Sequence, residues 1–338
     1  MSDIKINNVT NRNGDTGPII AGVSTVSSSA FMVMPSGDTA IRGAGSGRGV
    51  FARGGTPSGG VNTMDYITIA TTGSAIDFGD TKQTARFPAS CASSTRGLIM
   101  SGGGNPAEIT QVEYTTISSS GGANEFGNLR LAYYSSAGLS NSTRGIVGGG
   151  QSAPNVMNTF TDFVTIATLG DSSFFGNLTA RANMNQLSAA ASSTRGLFGG
   201  GVNTNLIEFV TIATGGDAVD FGNLINEKWM GDGGLSSSTR ALFAGGYTPG
   251  SILASIDYVT IATLGNAQDF GDLVDARQQI AATSSLIRGV VSGGEAPGIS
   301  NIIEFVTIAS TGNASDFGDL TVARRGHVGF SDVHGGLG

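Results

Sequence analysis

Short apolar runs separated by polar, glycine-rich turns recur along the whole chain. One stretch shows the unit clearly. Residues 276–285 and 288–294 form two runs divided by a Ser-Ser turn, and a variable polar loop follows at 295–300. Residues 302–309 are aromatic and β-branched, which suits a pleated surface, and the turn 310–313 leads to a last run at 314–320. The spacing predicts four strands, a to d, joined by tight connections. The runs are nearly continuous in apolar character rather than alternating, which predicts sheets covered on both faces. Gly312 and its counterparts Gly73, Gly121, Gly170, Gly216 and Gly265 sit where the c–d turn needs positive φ.

This unit repeats. A Ser/Thr-Arg-Gly motif is anchored by Arg48, Arg96, Arg144, Arg195, Arg240 and Arg288, at spacings of 48, 48, 51, 45 and 48. An aromatic-Gly pair keeps the same order at Phe78, Phe126, Phe175, Phe221, Phe270 and Phe317. Four short strands in about 48 residues make a β-propeller blade. The expected fold is an all-β propeller of four-stranded antiparallel blades. Six b-c-d sets are visible, yet 338 residues correspond to about seven periods of this length. Residues 322–336 read as strands a and b of a last blade, and residues 22–26 and 30–34 as its c and d. The expectation is seven blades. The alternative is six, with residues 1–38 as an N-terminal arm and 39–338 as the ring.

Composition narrows the function. Glycine supplies 54 of 338 residues, about twice the usual share of roughly 7%. There is no Gly-X-Y period, so collagen is excluded, and 39% hydrophobic residues argue against a disordered chain. Net charge is −7 and there are only three lysines, with no basic stripe, so nucleic acid is not an expected partner. No apolar run reaches membrane-spanning length, and the first residues lack the apolar segment of a secretion signal. Cys91 is the only cysteine and metal-ligand spacings are absent, so neither a disulfide nor a cofactor is expected.

The Gly-Gly doublet, the strand-c aromatic, the strand-d aromatic and the Arg that follows resemble the kelch repeat, with Phe where that repeat carries Trp. The run Ser-Thr-Arg-Gly-Leu-Phe-Gly-Gly-Gly at 193–201, the Asp-Phe-Gly triplets and the opening stretch 7–39 are similar to repetitive virion proteins of cyanophages. That resemblance implies a structural protein of the virion, associated with tail, baseplate or fibre and assembled in the host cytoplasm. It implies other virion proteins as partners, a host-surface glycan or protein as a further one, and a homo-oligomer within the particle. A capsid decoration or head-fibre protein is the alternative within the virion.

Candidate chemistry is sparse. The Gly-rich runs lack the Lys-Ser/Thr and helix of a phosphate loop, so close backbone packing near a narrow axis explains them. The six Arg read as structural, each pairing with a carboxylate or carbonyl of the next blade, and the six Phe as packing between blades. His327, His334 and Asp332 offer too few ligands for a metal and read as part of a closing blade. No nucleophile elbow appears, and Glu108, Glu227 and Glu295 come from different repeats, so no enzyme is expected. The a–b and c–d hairpins are nearly uniform, whereas the b–c and d–a connections vary and share one face. Binding residues concentrate on variable loops of a rigid scaffold. Candidate contact residues there are Asn105, Asn155, Asn203 and Tyr247. Within or near strand a, Tyr133, Tyr134, Trp229 and Met230 break the small-residue pattern, with ordinary packing between blades as their alternative reading. Such aromatics suit sugar or protein contacts, which keeps a carbohydrate-binding or carbohydrate-active propeller as the second class.

Overall fold

The computed structural model describes residues 24–25, 32–33, 47–103, 107–153, 156–179 and 185–338. It contains two compact units, Met1–Gly43 and Ala44–Gly338. In the first, Ser24–Thr25 pairs antiparallel with Met32–Val33 as a two-stranded sheet of its own. The rest of residues 22–26 and 30–34 lies outside the described residues.

The second unit is a ring of six four-stranded antiparallel blades. In blade 1, strands b, c and d are Arg48–Ala52, Thr63–Thr68 and Ile76–Asp80, and strand a is the distant Val328–Ser331. Blade 2 runs a to d through Ala89–Ala92, Arg96–Met100, Gln111–Thr116 and Asn124–Asn128. Blade 3 follows with Ala137–Ser140, Arg144–Gly148, Phe160–Thr165 and Ser173–Asn177. Blade 4 has Ser188–Ala191, Arg195–Gly199, Leu206–Thr211 and Val219–Asn223. Blade 5 has Gly234–Ser236, Arg240–Ala244, Ser255–Thr260 and Gln268–Asp272, and blade 6 has Ile280–Ser284, Arg288–Ser292, Ile302–Thr307 and Ser315–Asp319. The run predicted from 276 as a strand thus begins at Ile280, and Arg277 belongs to the d–a connection.

Six blades, not seven, close the ring. Among the described residues the first repeat has strands b, c and d, and the C-terminal run supplies strand a: Gly49 to Ala52 pair with Ser331 to Val328. Two segments far apart in the sequence thus complete one blade between them. His334 reads in sequence as the counterpart of a strand-b Arg, but it stands three residues past strand a where the Arg of blades 2 to 6 stands four past, and it caps a short 3-10 turn, Gly335–Leu337.

Backbone contacts hold neighbouring blades in register. The c–d turn glycine of each blade donates its N–H to the strand-d Phe carbonyl of the blade before it. Gly121 reaches Phe78, and Gly73 reaches Phe317 across the closure at 2.8 Å. The glycine after each strand-d Phe makes room for that turn. A Cβ on Gly176 would lie 2.0 Å from the Gly216 carbonyl oxygen, and one on Gly318 would lie 2.6 Å from that of Gly73. The outer edge of strand d is therefore covered rather than left to pair with another chain.

The axis shows a finer pattern. The penultimate residue of strand a alternates large and small around the ring: Phe330, Cys91, Leu139, Ala190, Leu235 and Thr283. Each packs on the residue after the strand-b Arg of the next blade, which is glycine in five cases. A Cβ on Gly97 would meet Phe330 at 2.0 Å, and one on Gly196 would meet Leu139 at 2.5 Å. The sixth case is Ala241, which shares a core cluster with Ala190. The methyl is tolerated where the facing side chain is itself only a methyl.

Each strand-d Phe is buried and meets the strand-c aromatic of its own blade edge to face. The pair Tyr66–Phe78 has ring centroids 6.0 Å apart and Phe209–Phe221 has them 6.2 Å apart. The six Arg stack over those same strand-c rings at 4.3–4.9 Å. Each also donates Nη1 to an Ile carbonyl of the following blade, from Arg48 to Ile117 around to Arg288 to Ile69. One Arg thus ties a hairpin, a ring and a neighbour together.

Candidate contact surface

The variable face rests on a second ring of charge. The residue before each strand-c aromatic is an acid: Asp65, Glu113, Asp162, Glu208, Asp257 and Glu304, all fully buried. Burying a carboxylate is costly unless it is paired and hydrogen-bonded. Five have a described ion-pair partner, namely Arg324, Arg53, Arg130, Lys228 and Arg277 for Asp65, Glu113, Asp162, Asp257 and Glu304. The same carboxylates accept backbone N–H groups from the d–a connection of the preceding blade. Lys82 donates to Glu113 at 2.8 Å, Thr179 to Glu208 at 2.8 Å, Ile225 to Asp257 at 3.0 Å and Val274 to Glu304 at 2.9 Å. Each acid therefore fixes the root of one variable loop.

The cation is less regular than the acid. Arg277, Arg324 and Lys228 come from d–a connections at one corresponding place. In blade 2 that place holds Tyr133, and Arg130 from three residues earlier reaches Asp162 at 2.7 Å. In blade 1 it holds Ala85. Glu113 is met instead by Arg53, which stands at φ 59° where four other blades carry glycine. Burial lowers the Arg53, Lys228, Arg277 and Arg324 pKa values, with the facing carboxylates pulling the other way. Burial likewise raises the carboxyls of Asp162 and Glu304 against the pull of Arg130 and Arg277.

On this scaffold the candidate residues divide. Tyr133 and Met230 are fully buried and belong to core clusters, so they are not part of a contact surface. Tyr133 stands where Lys228, Arg277 and Arg324 stand in other connections, an inward place that accounts for its burial. Tyr134 is half-buried and its backbone bridges Gln151. Trp229 and Tyr247 are half-buried and pack on each other with ring centroids 5.0 Å apart, their backbones bridged as well. Trp229 Nε1 has no hydrogen-bond partner. Asn203 is exposed at φ 56°. Asn105 and Asn155 lie outside the described residues. Glu295 is tied to Arg325, and no three His, Cys, Asp or Glu side chains among the described residues gather as a metal site.

Two features escaped sequence reasoning. The strand-c acid recurs six times and was legible as a repeat. Asp232 was not: blade 5 has one more residue between Phe221 and Arg240 than blade 6 has between Phe270 and Arg288. There Gly231–Asp232 pairs parallel with Ile280 and Ala281. Asp232 lines an axial cavity of about 60 Å³, accepts from Gly329 N at 3.1 Å, and burial pushes its carboxyl well above the usual range.

No protein-family model matches this sequence, and no curated protein is significantly similar to it.

Proposed function

We propose that this protein is a non-catalytic docking disc, a structural protein of a tailed-phage virion that joins other virion proteins or a host surface through its variable face. The observation that carries the docking role is the ring of buried acids. It holds each loop root rigidly while leaving the loop tips free to differ. A preformed surface loses less entropy on binding than one that must order itself. The placement in a virion rests on the resemblance of the repeat wording to virion proteins. The variable-face residues offered to a partner are Tyr134, Trp229, Tyr247 and Asn203. Trp229 and Tyr247 form an aromatic pair of the type enriched at interfaces.

Purified particles of the phage encoding this chain provide the test, with immunogold labelling of the chain and binding of recombinant disc to disassembled particles. The expected result is chain on the tail or baseplate, with binding weakened about tenfold or more by Trp229→Ala with Tyr247→Ala, as for an interface hot spot. Label on the head would move the role to capsid decoration. Particles free of the chain would overturn the virion reading, and saturable glycan binding lost in the same variant would favour the carbohydrate class.

A further inference from the structure

The chain has two histidines, and they bracket the strand that closes the ring. His327 immediately precedes Val328–Ser331, and His334 follows it by three residues. The geometry points to a pH-sensitive latch: protonation of His327 and His334 unfastens the closing strand and opens the ring at blade 1.

His327 is 1% exposed. Its Nε2 lies 2.8 Å from Ser292 Oγ on strand b of blade 6, and its ring meets Phe51 on strand b of blade 1 at 6.1 Å. It therefore spans the two blades that closure joins. Its Nδ1 has no partner. The charged groups around it are Arg324 and Arg277, already paired with Asp65 and Glu304, while Arg325 is held by Glu295. Asp232 lines a small cavity together with His327. An added proton at His327 would face two cations from a buried site.

His334 works through hydrogen-bond roles. Its Nδ1 accepts from Gly336 N at 3.1 Å, so Nε2 carries the hydrogen and donates to the Ala92 carbonyl in blade 2 at 2.9 Å. Ser140 Oγ of blade 3 lies 3.4 Å from Nε2. This neutral ring fastens the C-terminal turn across the axis. A proton on Nδ1 would point at the Gly336 N–H and remove its acceptor. Cys91 and Asp232 line the same axial cavity, and Asp332 Oδ1 accepts from Arg48 N.

Burial holds both imidazoles below their ordinary pKa. His327 is further depressed by Arg324 and Arg277, and His334 is partly restored by the Ala92 carbonyl. The sign follows from linkage. A depressed imidazole leaves closure at full strength above the unfolded value of about 6.5 and weakens it as pH falls towards the folded value. Each histidine lowers the closed-to-open ratio by up to about tenfold per pH unit in that window. The raised carboxyls of Asp232, Asp162 and Glu304 act in the opposite direction. Global melting therefore mixes both signs, and Asp232 also accepts from Gly329 N in the closing strand, so the readout must be local and compared with a variant that lacks both imidazoles.

Hydrogen exchange on the full chain between pH 7.5 and 5.5, corrected for intrinsic rates, provides it. Protection at residues 49–52 and 328–331 should fall by roughly ten- to a hundredfold more than at blade 4 strands opposite the closure. His334→Asn retains an acceptor for Gly336 N without titrating, and combined with His327→Gln it should abolish the difference. Equal loss in all blades, or an unchanged difference in the double variant, would overturn the latch. Should that variant fail to fold, NMR titration of the wild-type imidazoles decides. Native pKa values near 6.5 for both would refute it, and values well below would support it.

Discussion

The two faces of the disc solve the same problem in different ways. On the uniform face an identical Arg makes an identical pair of contacts six times, to an aromatic ring in its own blade and a carbonyl in the next. On the variable face the acid is constant, but its cation comes from a d–a connection in blades 2, 4, 5 and 6 and from a b–c connection in blade 1. The difference follows from what each group requires. A half-exposed guanidinium is satisfied by carbonyls and water, so its position can stay fixed. A buried carboxylate demands a counter-charge from whatever direction one can reach it. This leaves the loop sequence free to drift provided a cation remains within reach.

The comparison breaks most sharply at Arg53. Arg53→Met should destabilise the fold by about 3–5 kcal/mol in denaturant unfolding, because Glu113 is left buried without its cation. Pairing it with Glu113→Gln, which removes the charge yet keeps an acceptor for the Lys82 and Gln83 N–H groups, should recover much of that loss. If the single variant were as stable as wild type, the acid ring would not be the loop anchor described above. Next comes the packing of the uniform side. Gly196→Ala places a methyl against Leu139 and should cost about 1–3 kcal/mol, relieved by Leu139→Ala in the manner of the natural Ala190–Ala241 pair. Strict additivity of the two changes would contradict the direct contact.

Removing one surface Arg should matter less. Arg144→Met loses a cation–π contact and carbonyl bonds at a half-exposed site, for about 1 kcal/mol in the same assay. The smallest effect should be a gain. The strand-d N–H groups of Asn128, Asn177, Asn223, Asp272 and Asp319 are capped by Asp171, Asp217, Asn266, Asn313 and Ser74 from the next blade. The corresponding place facing Asp80 holds Gly122, where a Cβ would find ordinary space at 3.4 Å. Gly122→Asn should raise stability by about 0.5 kcal/mol, through the added cap and a less flexible unfolded chain. A loss of stability would show that this turn does not share the geometry of the other five.

Most of the blade was legible in the sequence, because strand pattern, turn glycines and anchoring aromatics repeat in register. The contact surface was legible only in outline. Tyr133 and Met230 read as contact candidates within or near strand a, with packing between blades as the alternative, and it is the packing that holds, since both point into the core. A loop residue's direction depends on the backbone turn that precedes strand a, and no local pattern reveals it. Arg53 was hidden for a related reason: its partner Glu113 is sixty residues away and in another blade.

What the sequence determined by itself is the repeating unit: four strands, their order, and glycine wherever a neighbouring backbone must come close. Local propensity and periodicity suffice for that, since every copy reports the same answer. Blade number and closure were decided only in three dimensions. They depend on whether the last strand finds the first repeat, and on how wide six alternating large and small side chains leave the axis. Those are long-range packing terms, so chain length alone pointed to one blade too many.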